Sequence, residues 1–127
     1  KRGTVRGLHY QFYSPQAKLI TVIKGKIFDV ILDLRRESLT FMQLFEFKLT
    51  SEFNNQLFIP RGFAHGFQCL TEESIIYYKT DNYYEPHDQY GIHPLDIKLN
   101  INWPISEKII SNNDLKLPNS SEIENFF

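Results

Sequence analysis

From Lys26 to Leu34 the sequence alternates strictly, with Phe28, Val30, Leu32 and Leu34 on one side and Ile27, Asp29, Ile31 and Asp33 on the other. A period of two belongs to a pleated strand and to no helix, so this segment constrains the fold more than any other. Lys18 to Lys24 precedes it across Gly25, and the two segments together predict a hairpin. Further strands are expected at Thr4 to Gln11, Phe41 to Leu49, Gln56 to Ile59, Ala64 to Thr71, Ser74 to Thr80 and Ile97 to Trp103. In the Phe41 segment, Phe41, Phe45, Phe47 and Leu49 share a face that should be buried, opposite Glu46 and Lys48. Pro60-Arg61-Gly62 and Thr71-Glu72-Glu73 supply turns, and Asn82 to Asp96 reads as a long ordered loop. The 14 isoleucines, 11 phenylalanines and 7 tyrosines, against 2 alanines, favour pleated surfaces over helices. The class is therefore all-β, a sandwich or small barrel.

A chain of 127 residues suits one domain, placed at residues 1–117, with residues 118–127 as a C-terminal tail that frays unless Phe126 and Phe127 dock. A formal net charge of -1 provides no bulk attraction for nucleic acid or an anionic membrane. Apolar runs are broken by charges such as Asp29 and Asp33 well short of bilayer-spanning length, so the protein is expected to be soluble. Cys69 has no partner for an internal disulfide and no C-x-x-C pair exists, which points to a reducing compartment, the cytoplasm.

Several residues could carry chemistry. Arg6 and His9 lie on opposite faces of an unbroken strand, but a bulge at Gly7 would bring both to one cavity; the alternative is an edge strand with an exposed Arg and a hydrogen-bonded His. Lys18 opens an apolar strand, either as a solvated end residue or as a cation in a site. His65 stands between two glycines and two phenylalanines, Gly66, Phe63 and Phe67 among its near neighbours, where a buried imidazole needs a partner, whether structural or functional. Tyr77, Tyr78, Tyr83 and Tyr84 offer phenols for proton donation or stacking, or else cross-strand packing. The four histidines form no H-x-H pair, no G-x-S-x-G elbow is present and no glycine-rich phosphate loop occurs. No metal or other cofactor is expected.

Taken in order, the pieces Gly3 to Gln11, Gln16 to Ile20, Phe28-Asp29-Val30, Asp33-Leu34-Arg35, Ser38 to Phe41, Ile59 to Phe67, Tyr78-Lys79, Asn82-Tyr83-Tyr84, Gly91-Ile92, Trp103-Pro104 and Ser111 to Asp114 resemble the dTDP-4-dehydrorhamnose 3,5-epimerase family. The resemblance implies a cupin-type jelly roll, usually a homodimer, that epimerises a nucleotide-linked 4-keto-6-deoxyhexose, most often dTDP-linked, at C3 and C5 without metal or redox cofactor. It implies His9 as general base, Asp114 as the acidic partner that orients it, Lys18 as the cation beside the enolate and Tyr78 as the acid on the opposite face. It assigns Arg6 to the diphosphate, His65 to the sugar and Tyr84 to the base, and Gln11 is placed with these as a substrate-binding residue. A pairing of Asp29 with Lys18 is expected from the residues themselves, since an uncompensated carboxylate on the Ile27–Ile31 face would be costly.

The chain departs from the family pattern in places. The family carries a segment ahead of the glycine matching Gly3 that supplies a strand, much of the base pocket and, by exchange between subunits, part of the partner's site; here it is absent. An edge left open there would lead to dimerisation along it, a compensating partner or a poorly stable monomer. Gln89 stands where the family has an acid, Pro94-Leu95-Asp96 replaces a Trp-led triplet, and Asn113 replaces a basic residue. All of these changes fall on nucleotide recognition or the subunit edge. The leading expectation is an epimerase acting at C3, C5 or both. The alternatives are a non-catalytic or inactive sugar-nucleotide-binding cupin and a sugar 3,4-ketoisomerase, the latter opposed by Tyr78 with the His9–Asp114 pair.

Overall fold

The computed structural model describes residues 1–127. Nine strands form two sheets: β1 (Thr4–Gln11), β2 (Lys18–Lys24), β3 (Lys26–Asp33), β4 (Leu44–Thr50), β5 (Gln56–Ile59), β6 (Phe63–Cys69), β7 (Ile75–Thr80), β8 (Gln89–Gly91) and β9 (Ile109–Ile110). The larger sheet runs β4-β3-β6-β1-β8, with β9 added parallel to the start of β1; the smaller runs β5-β2-β7. Every other pairing is antiparallel. Two 3-10 turns, Pro86–Asp88 and Asp114–Lys116, are the only helical elements. This is the jelly roll of the cupin type, and no helix is long and apolar enough to cross a membrane.

The alternation in β3 is used on both sides. Ile27 and Ile31 pack with Ile20, Val22, Leu49 and Ile59 between the two sheets. Val30, Leu32 and Leu34 pack on the other face with Val5, Leu8, Tyr10, Ile92 and Trp103, beneath the C-terminal third of the chain. Phe126 and Phe127 join that second cluster, and Phe127 is tied through its backbone to Leu34 and Arg36, so the two terminal rings are docked.

Three expectations are corrected. β2 and β3 are not a hairpin: a single residue, Gly25 at φ +80°, separates them, and the chain passes from the small sheet to the large one there. One residue is too short for the two-residue turns that return a strand beside itself, so it makes a corner between layers. Phe47 is 36% exposed because β4 is the edge of the wider sheet and overhangs its three-stranded partner. Ile97 to Trp103 is not a strand. Asp96 accepts the backbone N–H groups of Lys98 and Leu99, and the segment drapes over the sheet with Leu99, Ile101 and Trp103 inward. Its alternation records contact with a flat sheet without a ladder of its own. The strands β8 and β9, three and two residues long, carry too little pattern to be predicted.

The corner after β3 is held by Asp33, which is fully buried. Its carboxylate accepts from the Arg35 backbone and guanidinium, at 2.9–3.0 Å, and from the Ser38 and Thr40 hydroxyls at 2.6 Å. Burial pushes its pKa up, but the bonds from Arg35, Ser38 and Thr40 overcome this and hold it well below the usual carboxylate range. Asp33→Asn is expected to cost about 2–4 kcal/mol at neutral pH, because the amide turns donors toward donors. Since the folded pKa is depressed, this contribution is complete above the ordinary carboxylate pKa of about 3.9 and is lost as pH falls below it. Chemical denaturation of both proteins over a pH series should show the gap narrowing in acid; a constant gap would count against the assignment.

Candidate active site

The site begins with a break in β1. Gly7 adopts φ +92°, and the pairing with β6 loses register between Arg6 and His9. A Cβ at Gly7 would collide with the His65 carbonyl, so glycine is required twice over. The break shifts the alternation by one residue: Val5, Leu8 and Tyr10 enter the core under the C-terminal segment, while Arg6 and His9 both reach a cavity between the sheets.

The cavity has a volume of about 450 Å³ and holds every expected site residue except Asp114 on its wall: Arg6, His9, Gln11, Lys18, His65, Tyr78 and Tyr84. The two sheets supply different groups. His9 and His65 are opposite one another on β1 and β6 of the larger sheet. Lys18 and Tyr78 come from β2 and β7 of the smaller, on its inward face with Ile20 and Val22. Tyr84 stands at the mouth, 61% exposed, and its hydroxyl donates to Gln89 Oε1 at 2.6 Å.

Asp114 lies behind the wall. Its Oδ1 is 2.6 Å from His9 Nε2, and the carboxylate is buried. β9 runs parallel to the start of β1, with Thr4 opposite Ile109 and Val5 opposite Ile110, and the 3-10 turn that opens at Asp114 just beyond it brings the carboxylate beside His9. The Asp114 N–H donates to Ser111 Oγ, and the second carboxylate oxygen accepts from Gly7 N at 3.4 Å. The carboxylate therefore touches both His9 and the break that aims it, and it fixes which ring nitrogen of His9 faces the cavity.

Asp29 does not pair with Lys18. Its Oδ2 meets His65 Nε2 at 2.9 Å, and its Oδ1 is buried without a hydrogen-bond partner. His65 reaches it because β3 and β6 are neighbours in one sheet, with Ile31 opposite His65, whereas Lys18 belongs to the facing sheet. Burial lowers the Lys18 pKa from its usual value, and the negative charge of Asp29 opposes that through space. Two histidine–carboxylate pairs thus stand side by side with one ammonium across from them. Gln16, Phe67, Thr80 and Gln89 also line the cavity. Of these, Thr80 and Phe67 follow from the inward alternation of β7 and β6; the others sit on loops or short strands with no periodic signal. No three His, Cys, Asp or Glu side chains converge to hold a metal ion.

In this jelly roll an imidazole with a buried acidic partner on one sheet faces an ammonium and a phenol on the other across one cavity. The family model described as dTDP-4-dehydrorhamnose 3,5-epimerase matches residues 1–122. A dTDP-4-dehydrorhamnose 3,5-epimerase of Methanothermobacter thermautotrophicus is 44% identical over 116 residues, 89% of this chain and 63% of its own. The crystal structure of the Elizabethkingia anophelis enzyme of that name superposes with a TM-score of 0.94 at 37% identity, over 98% of this chain and 69% of that one. A Legionella pneumophila dTDP-6-deoxy-D-glucose-3,5-epimerase in complex with dTDP-4-keto-L-rhamnose gives 0.93 at 40%, over 98% and 66%. The chain belongs to the dTDP-4-dehydrorhamnose 3,5-epimerase family. It spans less than two thirds of the length of curated relatives such as the Methanothermobacter enzyme.

Gly7→Ala tests the break. Strain at positive φ and the clash with His65 should cost about 1–3 kcal/mol, and the realigned strand should separate His9 from Asp114. Thermal melting reads the first effect, and histidine side-chain NMR the second. An unchanged His9 environment would show that the break does not aim the base.

Proposed function

We propose that the protein epimerises a nucleotide-linked 4-keto-6-deoxyhexose, with dTDP as the nucleotide, at C3 and C5 or at C3 alone. The observation that carries this reading is the placement of His9 and Tyr78 on opposing walls of one cavity. Both carbons flank the C4 ketone, so each C–H is acidified and its removal gives an enolate. His9 takes the proton. Asp114 holds the imidazole in place and stabilises the imidazolium that forms. The Lys18 ammonium offsets the charge that develops on the C4 oxygen. Tyr78, 57% exposed on the other sheet, returns a proton to the far face of the carbon, which is the geometric requirement of inversion. Arg6 contacts the diphosphate, His65 the sugar hydroxyls and Tyr84 the base.

The 3,4-ketoisomerase alternative moves a proton along one face and has no use for a phenol across the cavity. The buried, unpaired thiol of Cys69 supports a cytoplasmic location, and the family supports a homodimer.

In heavy water with dTDP-4-keto-6-deoxyglucose, the protein is expected to incorporate deuterium at C3, and at C5 if both centres are turned over, as followed by proton NMR. His9→Asn should slow the exchange by about 10²–10⁴-fold while dTDP still binds. A wild-type protein that binds dTDP but exchanges neither proton would establish the non-catalytic reading instead.

A further inference from the structure

The side chain of Gln11 faces the cavity but has little left to offer a ligand. Its Nε2 donates to the Ser14 carbonyl at 2.8 Å and to the Tyr83 carbonyl at 3.1 Å, and its Oε1 accepts from the Glu85 N–H at 2.9 Å. Both donors and one of two acceptor sites are thereby used, in a residue 5% exposed. The two backbone groups it holds in the later segment belong to the residues on either side of Tyr84. Gln11 is also opposite Gln89 in the β1–β8 pairing, and Gln89 accepts the Tyr84 hydroxyl. One short strand pair therefore fixes Tyr84 at three points: the residue before it, the residue after it and its phenol.

The grip is reciprocal. Asp88, buried in the 3-10 turn that follows, accepts the backbone N–H groups of Phe12, Tyr13 and Ser14 at 3.2, 3.0 and 2.6 Å. Gln11 reaches from β1 into the 83–85 segment, and Asp88 reaches from that segment's end back onto the loop after β1. Neither loop has a strand ladder of its own, so these two side chains do the work that backbone pairing does elsewhere.

We infer that Gln11 is a positioning residue, not a substrate contact: it acts on ligand binding through Tyr84, by holding the Tyr83–Glu85 segment at the mouth of the cavity. This rests on the proposed nucleotide-binding role of Tyr84. An exposed ring contributes to affinity only if it is already in place, since ordering a free loop consumes much of what stacking returns.

The test combines a thermodynamic cycle with amide hydrogen exchange, using calorimetric titration with dTDP. Gln11→Ala is expected to weaken dTDP binding roughly tenfold, the scale of one well-placed hydrogen bond. The Gln11→Ala/Tyr84→Ala double variant should bind no more weakly than Tyr84→Ala alone, because the strut has nothing left to position. The Glu85 amide should exchange faster in Gln11→Ala and remain protected in Tyr84→Ala. Should Gln11→Ala fail to fold, Gln11→Met, which fills a similar space but offers Ser14, Tyr83 and Glu85 neither a donor nor a strong acceptor, is expected to show the same non-additivity and the same faster Glu85 exchange. Additive losses would mean that Gln11 touches the ligand directly, and unchanged Glu85 protection would mean that it holds nothing; either overturns the inference. If the wild type does not bind dTDP, the nucleotide reading fails, while Glu85 exchange still decides whether Gln11 holds the segment.

Discussion

One dislocation in one strand organises the cavity. If β1 were regular, Arg6 would point with Leu8 and Tyr10 into the core under the C-terminal segment, and a guanidinium would be buried there without a partner. Gly7 absorbs the shift by taking a conformation open chiefly to glycine, at a place where the neighbouring strand's backbone leaves no room for a Cβ. The same stretch is the meeting point for the far end of the chain. β9 pairs with the residues just before the break, β8 with those just after it, and Asp114 reaches both Gly7 and His9. The break thus sets the direction of His9 and also leaves the position at which its acidic partner enters.

Around that point the charges are arranged asymmetrically. The larger sheet presents two imidazoles, each backed by a buried carboxylate, and the smaller presents an ammonium and a phenol. Each Asp114 oxygen has a donor, whereas Asp29 keeps one buried oxygen unbonded. An unsatisfied carboxylate oxygen is costly in a dry interior. Its field acts on Lys18, opposing the burial that would otherwise favour the neutral amine. Asp29, set between Ile27 and Ile31, therefore acts on both walls of the cavity, on one by a hydrogen bond and on the other through space.

Much of this was legible in the sequence, for identifiable reasons. Strand-forming residues between turn signals located seven of the strands within a few residues, with period-two patterning clearest in β3, where both faces are packed. The residues drawn together by family resemblance, from Arg6 to Tyr84, line one cavity, and Asp114 stands behind its wall against His9. What was not legible is what depends on which strands become neighbours. Alternation in β2 and β3 is the same whether they pair with each other or sit in different sheets, so the corner at Gly25 looked like a hairpin. Asp29 was recognised as a carboxylate needing a partner, yet only the adjacency of β3 and β6 makes that partner His65. Gln11 shows no sign of its role, since two of its three bonds are to backbone groups some 70 residues away, which have no side-chain signature.

The central claim is that a proton leaves toward one sheet and returns from the other. Tyr78→Phe in heavy water separates the two halves. With the base intact and the acid removed, His9 should still abstract the proton, exchange it with solvent and return deuterium to the same face. Recovered substrate is then expected to carry deuterium with its configuration retained while net epimerisation falls sharply. If Tyr78→Phe epimerises as well as the wild type, or loses exchange and epimerisation in equal measure, the assignment of removal and return to opposite walls is wrong.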